Sequence, residues 1–247
     1  MAVKFDLPVP KGPGDPPPPL TMLAEGPRAA WSLAQLAARW ADLQNAPRGD
    51  GRPVLLLPGL VNSDRSFLVM RRYLRDLGYR PYGWELGRNL GVRAIGAEGE
   101  RLFARVAAVR EETGAPVTLV GVSLGGIMAR IAAHRMPDAV REVVTISSPF
   151  AGPPTATNVW RAFEWLTGEK IGDDSVRRFL AEAAAPPPVR ATAIWSASDG
   201  LVNGVNCRDL NGDARSIEVR SSHLWVQMHP DVLAAVAEVL AQPPCME

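Results

Sequence analysis

The sequence predicts an α/β domain: a mostly parallel sheet of about six strands with helices on both faces. Two observations predict it. Short, mostly apolar runs such as residues 54–57, 117–120 and 142–147 (Val143, Val144 and Ile146) read as strands buried on both faces, not as half-exposed alternating ones. Helix-forming stretches with an apolar side separate these runs along the chain, the pattern of βα units with ligands held at the carboxyl ends of the strands. The 247 residues fit one such domain, and 47% apolar content with a net charge of +1 is globular. That charge gives no basis for binding nucleic acid or an anionic membrane. No apolar run is long enough to span a bilayer.

Residues 1–20 are mostly proline, glycine and lone charges, so an extended arm is expected there. The opening Met-Ala-Val-Lys-Phe-Asp-Leu runs into proline instead of an apolar stretch. No signal peptide is expected, and the default location is the cytoplasm. Residues 28–43 turn helical. Trp31, Leu33, Ala34, Leu36, Ala38, Trp40 and Leu43 make this helix broadly apolar, to be packed on the core or used as a flap over an apolar pocket. Its polar side lacks the basic residues that suit a membrane surface.

The strand at 54–57 leads into the loop Pro58-Gly59-Leu60. A helix is expected over 66–77, closed by Gly78, and a strand over 79–84. The glycine-rich loop 85–91 has neither G-x-G-x-x-G nor a Walker lysine, so no nucleotide site is read there. A helix over 97–112, the strand at 117–120 and a helix over 124–135 follow. The strand at 142–147 precedes a long insertion, 151–189. Strands over 191–196 and 216–220 and a helix over 230–241, opened by Pro230, complete the chain. The organisation expected is an N-terminal arm and helix (1–52), a core (53–150 and 190–247) and a helical cap (151–189).

Between the strand at 117–120 and its following helix lies Gly121-Val122-Ser123-Leu124-Gly125-Gly126. A serine on a sharp strand-to-helix turn has strained backbone angles and an oxygen raised above the sheet. The glycines two residues to either side give room for so tight a turn. The helix N-terminus beyond it favours developing negative charge.

A serine nucleophile needs a base, and the base an orienting acid. There are three histidines. His134 lies eleven residues beyond Ser123 on the same helix, roughly 16 Å away, and is a surface or packing residue. His229, directly before Pro230, reads as a cap or surface residue, with a role as base the alternative. His223 follows the last strand, at the carboxyl edge where Ser123 also opens, and is the expected base. Asp199, in Ser198-Asp199-Gly200 after the strand 191–196, is the expected acid, against a plain turn role. Asp173, Asp174, Asp209 and Asp213 read as caps and turn residues. Oxyanion donors are expected from the N–H groups of Leu124 and Leu60. Asp64 and Ser66 should start the next helix.

In these motifs, Leu57-Pro58-Gly59-Leu60, Gly121-to-Gly126, Ser198-Asp199-Gly200-Leu201-Val202 and Ser222-His223, the chain resembles the α/β-hydrolase superfamily, in its bacterial lipase and esterase branch. The resemblance covers residues 53–241 and implies the α/β-hydrolase fold, a triad of Ser123, Asp199 and His223, and an insertion used as a cap. Two departures stand out. Pro58 replaces the histidine many members carry, and the helix at 28–43 occupies the place of the usual first two strands. In the cap, Val159, Phe163 and Leu166 share one helical face that Trp160 borders, whereas Trp165 looks elsewhere. Trp160, Phe163 and Leu166 are therefore expected along an acyl pocket, and Trp165 is expected to be covered from another side.

The function expected is cleavage of a small-molecule or lipid carboxylic ester, with no cofactor and no metal. A thioesterase or acyltransferase would use the same machinery, and a non-catalytic binding protein could keep the fold. Cys207 and Cys245 make no disulfide framework.

Overall fold

The computed structural model describes residues 7–209 and 215–242. Asp213 and Cys245 lie outside them. The elements run α1 (Pro19–Leu23), α2 (Glu25–Leu43), β1 (Pro53–Leu57), α3 (Leu68–Asp76), β2 (Arg80–Gly83), α4 (Val92–Ile95), α5 (Glu100–Thr113), β3 (Val117–Val122), α6 (Leu124–Arg135), β4 (Val140–Ile146), α7 (Trp160–Thr167), α8 (Asp174–Ala184), β5 (Arg190–Trp195), β6 (Arg215–Glu218) and α9 (Pro230–Leu240). Among the described residues six strands form one sheet in the order β2-β1-β3-β4-β5-β6, and every neighbouring pair is parallel.

Strand alternation divides the core. Val54, Leu56, Val120, Val122, Val144 and Ile146 face α2, α3 and α9, joining Leu36, Met70, Leu74, Val232, Leu233 and Val236. Leu55, Leu57, Leu119 and Val143 face the other way, onto Leu102, Val106 and Val109 of α5 and Met128 and Ala132 of α6. Both faces are covered, so β1 and β3 are buried along their whole length, as their mostly apolar runs require.

The N-terminal region differs most from expectation. Helix starts at Pro19, inside the stretch expected to be extended, because proline is tolerated in a first turn. The next helix starts at Glu25, and its buried residues are Glu25, Arg28, Ala29, Ser32, Leu36 and Leu43. Trp31 and Leu33, part of the helix expected to pack on the core or cover a pocket, are exposed. The buried stripe begins polar because its first turns pack on loops at the carboxyl end of the sheet. The arm before it is tied down by asparagines. Asn203 Nδ2 donates to Gly12 O (2.8 Å) and Asp15 O (2.9 Å), Asn206 Nδ2 to Pro13 O (2.8 Å), and Asn158 Nδ2 to Pro17 O (3.0 Å).

The insertion between β4 and β5 carries α7 and α8. Arg130 of α6 anchors α8, donating to the carbonyls of Ala183 and Ala185 with its guanidinium 3.8 Å from the Phe150 ring centroid. Burial lowers Arg130 to about 10, against a smaller opposing pull from Asp209, so it remains a cation at neutral pH. Trp165 on α7 is 83% exposed, so the expected second cover over that face is absent among the described residues. Among the described residues no helix is long and apolar enough to cross a membrane.

Candidate active site

Ser123 stands between β3 and α6 with φ 51° and ψ −120°, the strained elbow expected of a serine lifted above a sheet. The glycines around it are explained by close backbone approach. A Cβ on Gly121 would strike the Gly125 carbonyl, and one on Gly125 would strike the Leu57 and Pro58 carbonyls at the end of β1. Gly125 thus makes room for β1, not only for its partner glycine. The serine N–H is bonded to Ile146 O (2.9 Å), which leaves the side chain as its chemically available group.

The loop after β1 comes close to the serine. A Cβ on Gly59 would lie 3.3 Å from Ser123 Cβ. Neither Leu60 nor Leu124 N–H donates to another described residue. The loop is held by a residue that sequence reasoning passed over. Asn89 Nδ2 donates to Pro58 O (2.7 Å), Asn89 O accepts Val61 N–H (2.8 Å), and Asn89 N–H donates to Asn62 O (2.8 Å). These bonds hold Val61 at φ 58°. The signal in the sequence is the glycine-rich loop around Asn89, which carries no phosphate-binding motif. Asp64 does begin a 3-10 turn, and its carboxylate also accepts Trp84 N–H (2.8 Å) and Glu85 N–H (3.1 Å).

Asp199 and His223 are brought together. Asp199 Oδ2 accepts Nδ1–H of His223 at 2.8 Å, while Oδ1 accepts Leu201 N–H (2.9 Å) and Val202 N–H (3.0 Å). The turn role and the contact to histidine therefore coexist, one on each oxygen. Asp199 is 1% exposed and the His223 side chain 11%. Burial pulls the His223 imidazolium down, but the charge and hydrogen bond of Asp199, helped by the charge of Glu25, outweigh it and leave the pKa above its ordinary 6.5. Ser123 Oγ makes no hydrogen bond to a described residue. In unliganded sites the serine–histidine bond is often long and tightens on binding.

The other histidines are engaged elsewhere. His134 Nε2 lies 3.2 Å from Ala185 O. His229 caps α9, its Nδ1 accepting Asp231 N–H at 3.2 Å, and burial lowers its pKa. A neutral imidazole is what this capping acceptor needs.

A cavity of about 110 Å³ opens over Ser123. Leu60, Leu124 and Ile127 line it from the core, and Val159, Trp160 and Phe163 from the insertion. Leu166 does not line it. It lies a turn further along α7, and Ile171, Val176 and Leu180 supply that wall instead. Among the described residues no charged side chain lines the cavity. Among the described residues no three His, Cys, Asp or Glu side chains group as a metal site.

Residues 103–185, which span the elbow and most of the insertion, match a family model described as the alpha/beta hydrolase fold. Solved structures carry the likeness over most of the chain. The monoacylglycerol lipase of Paleococcus ferrophilus is 18% identical, covering 79% of this chain and 96% of its own at a TM-score of 0.58. This chain has the α/β-hydrolase fold. The Bacillus licheniformis lipase BlEst2 shares this hydrolase fold at 16% identity, with 81% and 95% covered and a TM-score of 0.57. So does a thioesterase domain from the curacin biosynthetic pathway, at 16% identity, 80% and 93% covered and a TM-score of 0.52. No curated protein matches the chain. The α/β-hydrolase fold therefore stands on architecture, with little sequence shared.

Proposed function

We propose that this α/β-hydrolase-fold protein is a serine hydrolase that cleaves carboxylic esters with an apolar acyl group, and that α7 and α8 act as a cap over its acyl pocket. The observation that carries this reading is the buried Asp199–His223 pair, 2.8 Å apart, at the same sheet edge as an elbow serine under an uncharged cavity. In the proposed reaction Ser123 Oγ attacks the ester carbonyl carbon while His223 Nε2 takes its proton. The carbonyl π electrons move onto oxygen, where the N–H groups of Leu60 and Leu124 bind the oxyanion. Collapse expels the alcohol, which takes its proton from His223, and leaves an acyl-serine. Water, deprotonated by the same imidazole, then attacks the acyl carbon and releases the carboxylic acid and free serine. Asp199 holds Nδ1–H throughout, keeping the tautomer whose Nε2 lone pair faces the serine.

The uncharged lining supports apolar acyl groups over phosphoryl or dicarboxylic ones, since a buried anion without a partner is strongly disfavoured. Lipase and esterase names among the structural neighbours are consistent with this chemistry. Hydrolysis of p-nitrophenyl esters of graded acyl length tests the reading. Turnover that rises and then falls with chain length is expected, as the cavity fills and then overfills. Equal rates for acetyl and long acyl chains, or no turnover with any of them, would count against it.

A further inference from the structure

We infer that Glu25 is a positioning residue for this site: its buried carboxylate ties the loop of His223 to the loop of Asp199 and sets a second negative charge beside the imidazole. The inference rests on the proposed roles of Asp199 and His223.

The first turn of α2 meets two loops at once. Glu25 Oε2 accepts the N–H groups of His223 (2.7 Å) and Leu224 (2.8 Å), and Oε1 accepts the N–H of Gly200 (2.8 Å). The Gly200 loop leaves β5 and the His223 loop leaves β6, so one side chain spans both. A Cβ on Gly200 would meet Thr21 O and Glu25 Cγ, so only glycine lets α1 and α2 come this close. Arg28, one turn on, binds the same pair of loops. It donates to Ser198 O (2.6 Å), Ser198 Oγ (2.9 Å) and Ser221 O (2.7 Å), and lies 3.7 Å from Glu25. Glu25 is 2% exposed and Arg28 6%.

A plain structural link does not need a charge here, and a buried charge is costly unless it is used or compensated. Three N–H donors converge on Glu25, and only a carboxylate accepts at both oxygens. Glutamine would turn an N–H toward one of those donors. The charge also reaches the imidazole. The charged groups acting on His223 are Asp199 from the β5 loop and Glu25 from α2. The buried Cys207 thiol lies near Asp199, and burial raises its pKa well above the ordinary thiol value, so it is uncharged. Of these, both carboxylates favour the imidazolium. Burial and the charge of Asp199 raise the Glu25 carboxyl, and the N–H groups of Leu224 and Gly200 and the charge of His223 oppose that rise.

The test uses the full chain as wild type, Glu25→Gln and Glu25→Asp. Two readouts are followed with pH: titration of the His223 imidazole by NMR, and the rate of labelling by a fluorophosphonate probe. In Glu25→Gln, His223 should titrate at lower pH than in wild type, and the acid limb of the labelling rate should move down with it. Its plateau should fall roughly 10- to 100-fold, because the histidine loop loses its tether. Glu25→Asp keeps the charge on a shorter arm, so its His223 titration should stay nearer wild type while the plateau still falls. An unmoved His223 titration in folded Glu25→Gln would overturn the inference. If Glu25→Gln does not fold, a wild-type plateau in Glu25→Asp would overturn it. The NMR readout needs no reaction, so absent labelling in every protein would refute the hydrolase reading while the titration still decides the role of Glu25.

Discussion

Replacing Asp199 with asparagine separates the acid's charge from its place in the loop. Oδ1 holds the N–H groups of Leu201 and Val202, and Oδ2 holds Nδ1–H of His223. Asparagine keeps the volume and one carbonyl oxygen, so the loop bonds survive with that oxygen at the Oδ1 position. The amide then points an N–H at Nδ1. The imidazole must accept there, its proton shifts to Nε2, and the nitrogen proposed to serve the serine has no lone pair to offer. In a triad this wrong tautomer costs about 10⁴-fold in kcat, or about 5.5 kcal/mol at about 1.4 kcal/mol per factor of ten. Stability should move less. One charge-assisted hydrogen bond of about 1.5–3 kcal/mol gives way to a neutral one of about 0.5–1.5 kcal/mol, a net loss of about 1–2 kcal/mol. Loss of the Asp199 charge also relieves Glu25, whose pKa is raised first by burial and then by that charge. Ester turnover and a urea midpoint, measured on the same preparation, give both numbers. A fall in kcat of less than tenfold in a folded protein would refute the assignment of Asp199 as the orienting acid.

Three further outcomes are expected. Since His223 must be neutral to act as a base and its pKa lies above 6.5, kcat/KM should rise with pH through a midpoint above 6.5. The same shift stabilises the protonated fold: that contribution is complete below pH 6.5 and is lost as pH rises through the folded pKa, so activity and this part of stability run in opposite directions. A pH–rate profile with its acid midpoint below 6.5 would contradict it. Gly125→Ala should cost about 1–3 kcal/mol in urea denaturation or prevent folding, because its Cβ meets the fixed carbonyls of β1; a wild-type midpoint would show that the β1–elbow contact is looser than described. Asn89→Ala leaves Pro58 O without its buried donor, so a loss of about 1–3 kcal/mol is expected. It should also lower kcat more than it raises KM, as a displaced oxyanion loop would; a change in KM alone would place Asn89 in ground-state binding.

The central strands could be read from the sequence because β1 and β3 are buried along their whole length, which leaves mostly apolar runs there. The elbow could be read for a steric reason: glycine at 121 and 125 admits backbone approaches that any Cβ would block. α6 runs over Leu124–Arg135, as its composition predicted. The start of α2 was hidden for the opposite reason. Its buried stripe opens with Glu25 and Arg28, whose partners are loop groups more than 160 residues away, and with Ser32, which bonds Arg28 O, and apolar periodicity has nothing to report about them. Trp31 and Leu33 misled for the same reason, since the first turns bury Glu25, Arg28 and Ser32, and the apolar side enters the core only further along, at Leu36 and Leu43. Asn89 was missed because its work is done by hydrogen bonds to another loop. Leu166 was placed by helical spacing alone, which cannot tell where α8 closes the cavity.

Labelling by a fluorophosphonate probe, compared between wild type and Ser123→Ala at a pH above 7, tests the central claim most directly. The probe reacts with a serine only when a neighbouring base activates it, and it needs no knowledge of the natural substrate. The proposed mechanism predicts labelling of the wild type at one serine and none in Ser123→Ala. Absence of labelling in a folded wild-type protein, or labelling that persists in Ser123→Ala, would contradict it.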